Sequence, residues 1–124
     1  MIIWIQRHDY SYEELGINSP EEAVGAFEKF DWSEELQKEK ESEEDSCSPG
    51  FGIVSDQRYI LHLCPRESGD CRIHFHYPDK EKYFFLFSRD TQKTITRESI
   101  SWEDGILLIE QMFVGNWDQM KTMI

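Results

Sequence analysis

Residues 51–77 read FGIVSDQRYILHLCPRESGDCRIHFHY, and this stretch decides the fold class. Polar turn residues divide it into three short apolar runs, which lie at 51–54, 58–64 and 71–77. Runs of this length that are rich in β-branched and aromatic residues are typical of strands. Because the connections between them are short, the stretch predicts an antiparallel meander.

Further strands are predicted on both sides of this meander. Residues 2–5, IIWI, are prone to form a first strand, and residues 9–18 are interpreted as a connection. Residues 78–81 are interpreted as a turn. Residues 82–88 contain the run YFFLF, which is apolar on both faces and is typical of a central strand. Residues 94–96 add a last short strand.

Two helices are predicted from their end signals and apolar spacing. Ser19 can cap a helix in which Pro20 is the first residue and Ala23, Phe27 and Phe30 form an apolar stripe. A second helix begins after Ser101 and ends at Gly115, which suits a left-handed stop. The predicted fold is α+β, an antiparallel sheet of five to six strands with one helix in the N-terminal half and one at the C-terminus packed on it.

Size and composition indicate one folded domain, residues 1–124. Hydrophobic residues make up 39% and aromatic residues 14% of the chain, which is too apolar for a disordered acidic protein. The apolar start is too short for a signal peptide, and no run approaches the roughly 18 apolar residues of a membrane span, so a cytoplasmic location is expected. The odd number of cysteines agrees with this, since Cys47, Cys64 and Cys71 make a poor disulfide framework. A Cys64–Cys71 bridge stays open but is disfavoured in a reducing compartment.

The acidic residues outnumber the basic ones and are concentrated between residues 31 and 45. The chain has 25 Asp and Glu against 13 Lys and Arg, a formal charge of −12. Such a field repels nucleic acid and acidic membranes and attracts basic partners. We interpret residues 33–50 as a mobile acidic connection, in which a frayed helical turn stays open. The candidate residues for binding a basic partner are Asp31, Trp32, Glu34, Glu35, Glu39, Glu41, Glu43, Glu44 and Asp45.

Aromatic residues lie close in sequence to these acids. We single out Trp32, Tyr10, Tyr12 and Phe51 among them. Buried aromatic anchors beside charges give protein interfaces much of their affinity. Each of these side chains fits an interface or the core equally well, except Phe51, for which we favour the core.

An alternative site is formed by histidine and cysteine on two predicted strands. His74 and His76 are two residues apart and share one strand face, as do His62 and Cys64 on the neighbouring strand. If the register brings these faces together, they offer imidazole and thiolate ligands for a metal such as zinc. The alternative hypothesis is therefore a small metal-binding or metal-dependent enzyme. The motifs GxSxG and HExxH are absent from the sequence.

Several segments together resemble a known family. The segment 19–23, SPEEA, begins the first helix, and the chain closes with ISWEDGI at 100–106 and MFVGNW at 112–117. This arrangement resembles the bacterial immunity proteins that accompany polymorphic toxins, including the toxins of contact-dependent growth inhibition.

The resemblance implies an inhibitor without cofactor or catalytic residues. Such a protein binds the cognate toxin domain of a secreted effector, often a ribonuclease or deoxyribonuclease with a basic cleft. An acidic inhibitor suits such a cleft because it competes with the phosphate backbone for the same Lys and Arg side chains. We therefore expect a protein partner, and neither nucleic acid nor membrane.

Overall fold

The computed structural model describes residues 1–56, 58–83 and 87–124, with the side chains of 79–91 outside the description. Six strands and four helices follow one another within these residues. The strands are β1 (Ile2–Gln6), β2 (Tyr12–Leu15), β3 (Gly50–Ser55), β4 (Tyr59–Pro65), β5 (Cys71–Tyr83) and β6 (Phe87–Ile100). The helices are α1 (Pro20–Lys29), α2 (Trp32–Glu41), α3 (Trp102–Val114) and α4 (Trp117–Met123).

The strands form one sheet in the order β2-β1-β3-β4-β5-β6, with every neighbouring pair antiparallel. Helices pack on this sheet, so the predicted α+β fold is confirmed. The meander predicted from residues 51–77 corresponds to β3, β4 and the first half of β5. None of the helices in the described ranges is long and apolar enough to cross a membrane.

The core lies between one face of the sheet and the helices. Side chains alternate along each strand, so every second residue points toward the helices. Phe27 of α1 is at the centre, stacked on Trp102 with ring centroids 4.5 Å apart and edge-on to Phe51 at 5.4 Å. The buried apolar cluster comprises Ile3, Ile5, Ala23, Phe27, Trp32, Phe51, Ile53, Leu61, Leu63, Cys71, Ile73, Phe75, Ile100, Leu108, Ile109, Met112 and Met120.

The caps predicted for the first and last long helices are confirmed. The Ser19 side chain accepts a hydrogen bond from the N–H of Glu22 at 3.2 Å, and Ser101 accepts one from Asp104 at 3.1 Å. Gly115 ends α3 with φ of 79°, the left-handed conformation that glycine adopts without strain. The residues after Gly115 form a further short helix, because Asn116 caps α4 and Met120 anchors it in the core.

The prediction of an acidic connection over residues 33–50 is wrong for residues 33–41, because these belong to helix α2. The Asp31 side chain caps this helix by accepting from the N–H of Glu34 at 3.0 Å. Glu34 and Lys38 form an i,i+4 ion pair at 3.2 Å on its exposed side. Glu35 and Glu39 are like charges four residues apart, but they do not prevent the helix, because the Glu35 side chain is buried and turned toward other partners.

The connection predicted at 9–18 contains strand β2, which pairs with β1 from Gln6↔Tyr12 to Ile3↔Leu15. Glu13 and Glu14 have low strand propensity, so pairing with β1 rather than local preference fixes this edge strand.

The turn predicted at 78–81 is also wrong, because β5 runs through these residues with Pro78 opposite Gln92 on β6. The pairing of β4 with β5 ends at His76, two residues before Pro78. The N–H that Pro78 lacks therefore removes no hydrogen bond between β5 and β4, and β5 can accommodate the proline. Of the central strand predicted at 82–88, residues 84–86 lie outside the described residues. Lys82 and Tyr83 end β5, whereas Phe87 and Ser88 begin β6 opposite them.

Candidate functional site

Most of the acids singled out in the sequence are exposed in the structure. Glu35 is buried, with only 3% of its surface exposed. Glu39 is half-buried. The remaining acids are exposed and comprise Asp31, Glu34, Glu41, Glu43, Glu44 and Asp45.

Trp32 is a core residue and not an exposed anchor, with 6% of its surface exposed. Its indole Nε1–H donates to the carbonyl of Phe27 at 2.7 Å, and its ring lies 4.4 Å from that of Phe30. Phe51 is fully buried, as favoured from the sequence. The large aromatic side chains that remain exposed near the acids are Tyr10 and Tyr12, at 51% and 73%.

The buried carboxylate of Glu35 joins helix α2 to the turn after β1. It accepts hydrogen bonds from the His8 backbone N–H at 3.1 Å and from the His8 ring, and the Arg7 guanidinium lies 3.6 Å away. Burial raises the pKa of Glu35, but the His8 hydrogen bonds and the charges of His8 and Lys38 outweigh this and leave the pKa below 4.5. Glu35 is therefore ionised at neutral pH and has a structural role.

The acids after α2 meet an exposed tyrosine across a long sequence separation. The Tyr10 hydroxyl donates to the carbonyl of Ser46 at 3.2 Å, and the Cys47 N–H donates to the carbonyl of His8 at 2.9 Å. Burial and the neighbouring Asp45 carboxylate raise the pKa of Tyr10. Tyr10 has a φ of 67°, which is strained for a residue with a Cβ, so these contacts hold it in an unfavourable conformation. We define the acidic patch as Tyr10, Glu43, Glu44 and Asp45.

The charges of the acidic patch have no basic partner among the residues that the structure describes. Within the described residues, the carboxylates of Glu43, Glu44 and Asp45 form no ion pair. By contrast, Glu34 pairs with Lys38, and Lys40 pairs with Glu67. The patch therefore combines free negative charge with an exposed aromatic ring.

His62, His74 and His76 lie on the sheet face opposite the buried core, which we call the open face. His62 stands directly opposite His74, and Cys64 opposite Arg72, so the two predicted faces do coincide. The rings of His74 and His76 are hydrogen-bonded to Thr96 at 3.0 Å and Thr94 at 2.7 Å.

This row of histidines is the alternative metal site predicted from the sequence. Among the described residues, no three or more His, Cys, Asp or Glu side chains are grouped so that they could hold a metal ion. Burial, with Arg72 opposing it, raises the pKa of the Cys64 thiol to about 11, so the free thiol is protonated at neutral pH. Burial likewise raises the pKa of Cys71 to about 12. All three cysteines are free, which excludes the Cys64–Cys71 bridge.

The open face also carries a groove that the sequence did not reveal. It has a volume of about 280 Å³ and lies on β1 and β2, lined by Ile2, Trp4, Gln6, Tyr12 and Glu14. The indole of Trp4 lies over Gly52, so the pair Gly50 and Gly52 serves ring packing rather than a phosphate loop.

Replacing Gly52 with alanine is expected to displace Trp4. The new Cβ would overlap the indole ring, and relieving such an overlap costs about 1–3 kcal/mol of unfolding free energy. Urea denaturation and Trp fluorescence measure the effect. Gly16→Ala is the control, because nothing lies within 4 Å of the added Cβ there. Equal unfolding midpoints for the two variants would show that Trp4 does not rest on Gly52.

Comparison with models of known protein families, with curated proteins and with solved structures finds no match to this chain.

Proposed function

We propose that this protein is an immunity protein that binds and neutralises a basic toxin domain, a ribonuclease or deoxyribonuclease of a contact-dependent or similar secreted effector. The observation that supports this most is the acidic patch, where three carboxylates without ion pairs among the described residues lie in the segment that contacts the exposed Tyr10 through Ser46. The overall charge of −12 and the resemblance of the chain ends to immunity proteins point the same way.

The physical argument concerns what such a patch can bind. Lys and Arg side chains that hold the phosphate backbone in a nuclease cleft are drawn to carboxylates in the same way. Tyr10 adds a large, rigid contact area, which is typical of interface anchors. Its strained φ fits this role, because strained residues cluster at binding sites.

The proposal is tested by reversing the patch charges in the variant E43K/E44K/D45K. The toxin domain is the one encoded beside the gene or captured from the native host, and its association rate is measured at two salt concentrations. Because the patch would steer the encounter, we expect association to slow at least about tenfold at low salt and to lose most of its salt dependence.

The matched control reverses three exposed acids on the helix layer, E28K/E103K/E110K, which changes the net charge equally. We expect this control to slow association less than the patch variant. If both variants slow association equally, net charge acts without a local patch. If no nuclease domain binds or is inhibited, the proposed function is wrong.

A further inference from the structure

The groove on β1 and β2 combines two aromatic side chains with a carboxylate. Trp4 stands directly opposite Glu14, and Gln6 directly opposite Tyr12, so all four side chains share the open face of the sheet. The Trp4 ring is fixed over Gly52, while Tyr12 is 73% exposed. Two rings and an anion around about 280 Å³ make a small site of defined chemistry.

The two neighbouring glutamates of β2 differ in their partners. Glu13 points to the other face of the strand and lies 3.5 Å from the Arg7 guanidinium. Glu14 forms no ion pair with any side chain in the described parts of the chain. The groove therefore holds a carboxylate whose charge is available to a ligand.

We propose that this groove binds an arginine side chain of the basic partner, an inference that rests on the proposed function. A guanidinium is attracted to the faces of Trp and Tyr rings and can form paired hydrogen bonds with a carboxylate. Arginine suits the site better than lysine, because its planar group stacks on rings. The bound side chain is flanked by Trp4 and Tyr12 and pairs with Glu14.

The groove is connected to the segment of the acidic patch through Gln6 and Cys47. Gln6 lines the groove, and its side-chain amide donates to the Cys47 sulfur at 3.5 Å. Cys47 in turn follows the patch acids and bonds to His8. A partner surface that contacts the patch can thus place one arginine in the groove.

The first experiment uses Nα-acetyl-arginine amide as the probe and the indole N–H resonance of Trp4, assigned with Trp4→Phe, as the readout. We expect a saturable shift in the millimolar range that weakens about fivefold in Glu14→Gln and is unchanged in Glu13→Gln. The uncharged citrulline analogue should give no shift, and the lysine analogue a smaller one. Equal effects of arginine and citrulline, or of the two glutamate variants, would overturn the inference.

The second experiment separates this inference from the proposed function. Binding of the nuclease domain is measured for Glu14→Gln and Glu13→Gln, and only the former should weaken, by about fivefold or more. If the domain binds but both variants match the wild type, the groove does not take part and the inhibitor function stands. If no nuclease domain binds while the probe shift follows Glu14, the groove is a cation site and the proposed function is wrong.

Discussion

Replacing Glu35 with alanine is expected to lower the free energy of unfolding by about 3 kcal/mol, because it removes one partner of a buried ionic network. The loss leaves the His8 backbone N–H without its acceptor and removes the anion that faces Arg7. Donors left unpaired in a buried site cost their full desolvation energy. We also expect the turn that carries Tyr10 to become less ordered, since Glu35 joins that turn to α2.

Glu34→Ala is the control for this prediction, because Glu34 is the exposed neighbour on the same helix. Its ion pair with Lys38 is on the surface, where such pairs contribute less than about 1 kcal/mol. Urea denaturation of both variants measures the difference. If the two unfold within about 0.5 kcal/mol of each other, Glu35 does not hold the turn.

Helix α2 shows why part of the fold could not be predicted from the sequence. Its sequence, WSEELQKEKE, has few apolar positions, so periodicity alone did not identify it. What stabilises it is tertiary: Trp32 reaches back to the carbonyl of Phe27, and Glu35 reaches His8. The meander, in contrast, followed from local patterns, because its turns and apolar runs are contiguous in the sequence.

Of the candidate site, only the negative charge could be predicted from the sequence. The sequence showed where the acids lie, but it did not show which of them form ion pairs or which aromatic residue lies beside them. The ion pair of Lys40 with Glu67 and the hydrogen bond of Tyr10 with Ser46 both join segments that are distant in sequence. The groove was missed because β2 was not recognised. Had it been, Tyr12 and Glu14, two residues apart, would have been placed on one strand face.

The protein is expected to lose about 3 kcal/mol of stability between pH 6.5 and pH 4 through His62 alone. Burial, aided by the nearby His74 and His76, lowers the pKa of His62 to about 4 from its ordinary 6.5. In the unfolded chain His62 takes up a proton near pH 6.5, whereas in the folded protein it does so only near pH 4. The unfolded state therefore binds more protons across this window, and stability falls as the pH falls, by up to about 1.4 kcal/mol per pH unit.

Other groups add to this acid sensitivity, and a variant separates them from His62. Burial and Arg72 also lower the pKa of His74, and Glu35, whose pKa is below 4.5, loses its contribution only at lower pH. His62→Gln removes the main titrating group, so its stability curve, measured by urea denaturation from pH 7.5 to 4.5, should be markedly flatter than the wild-type curve. Parallel curves would show that His62 is protonated equally easily in both states, and hence that its ring is not buried against the strand.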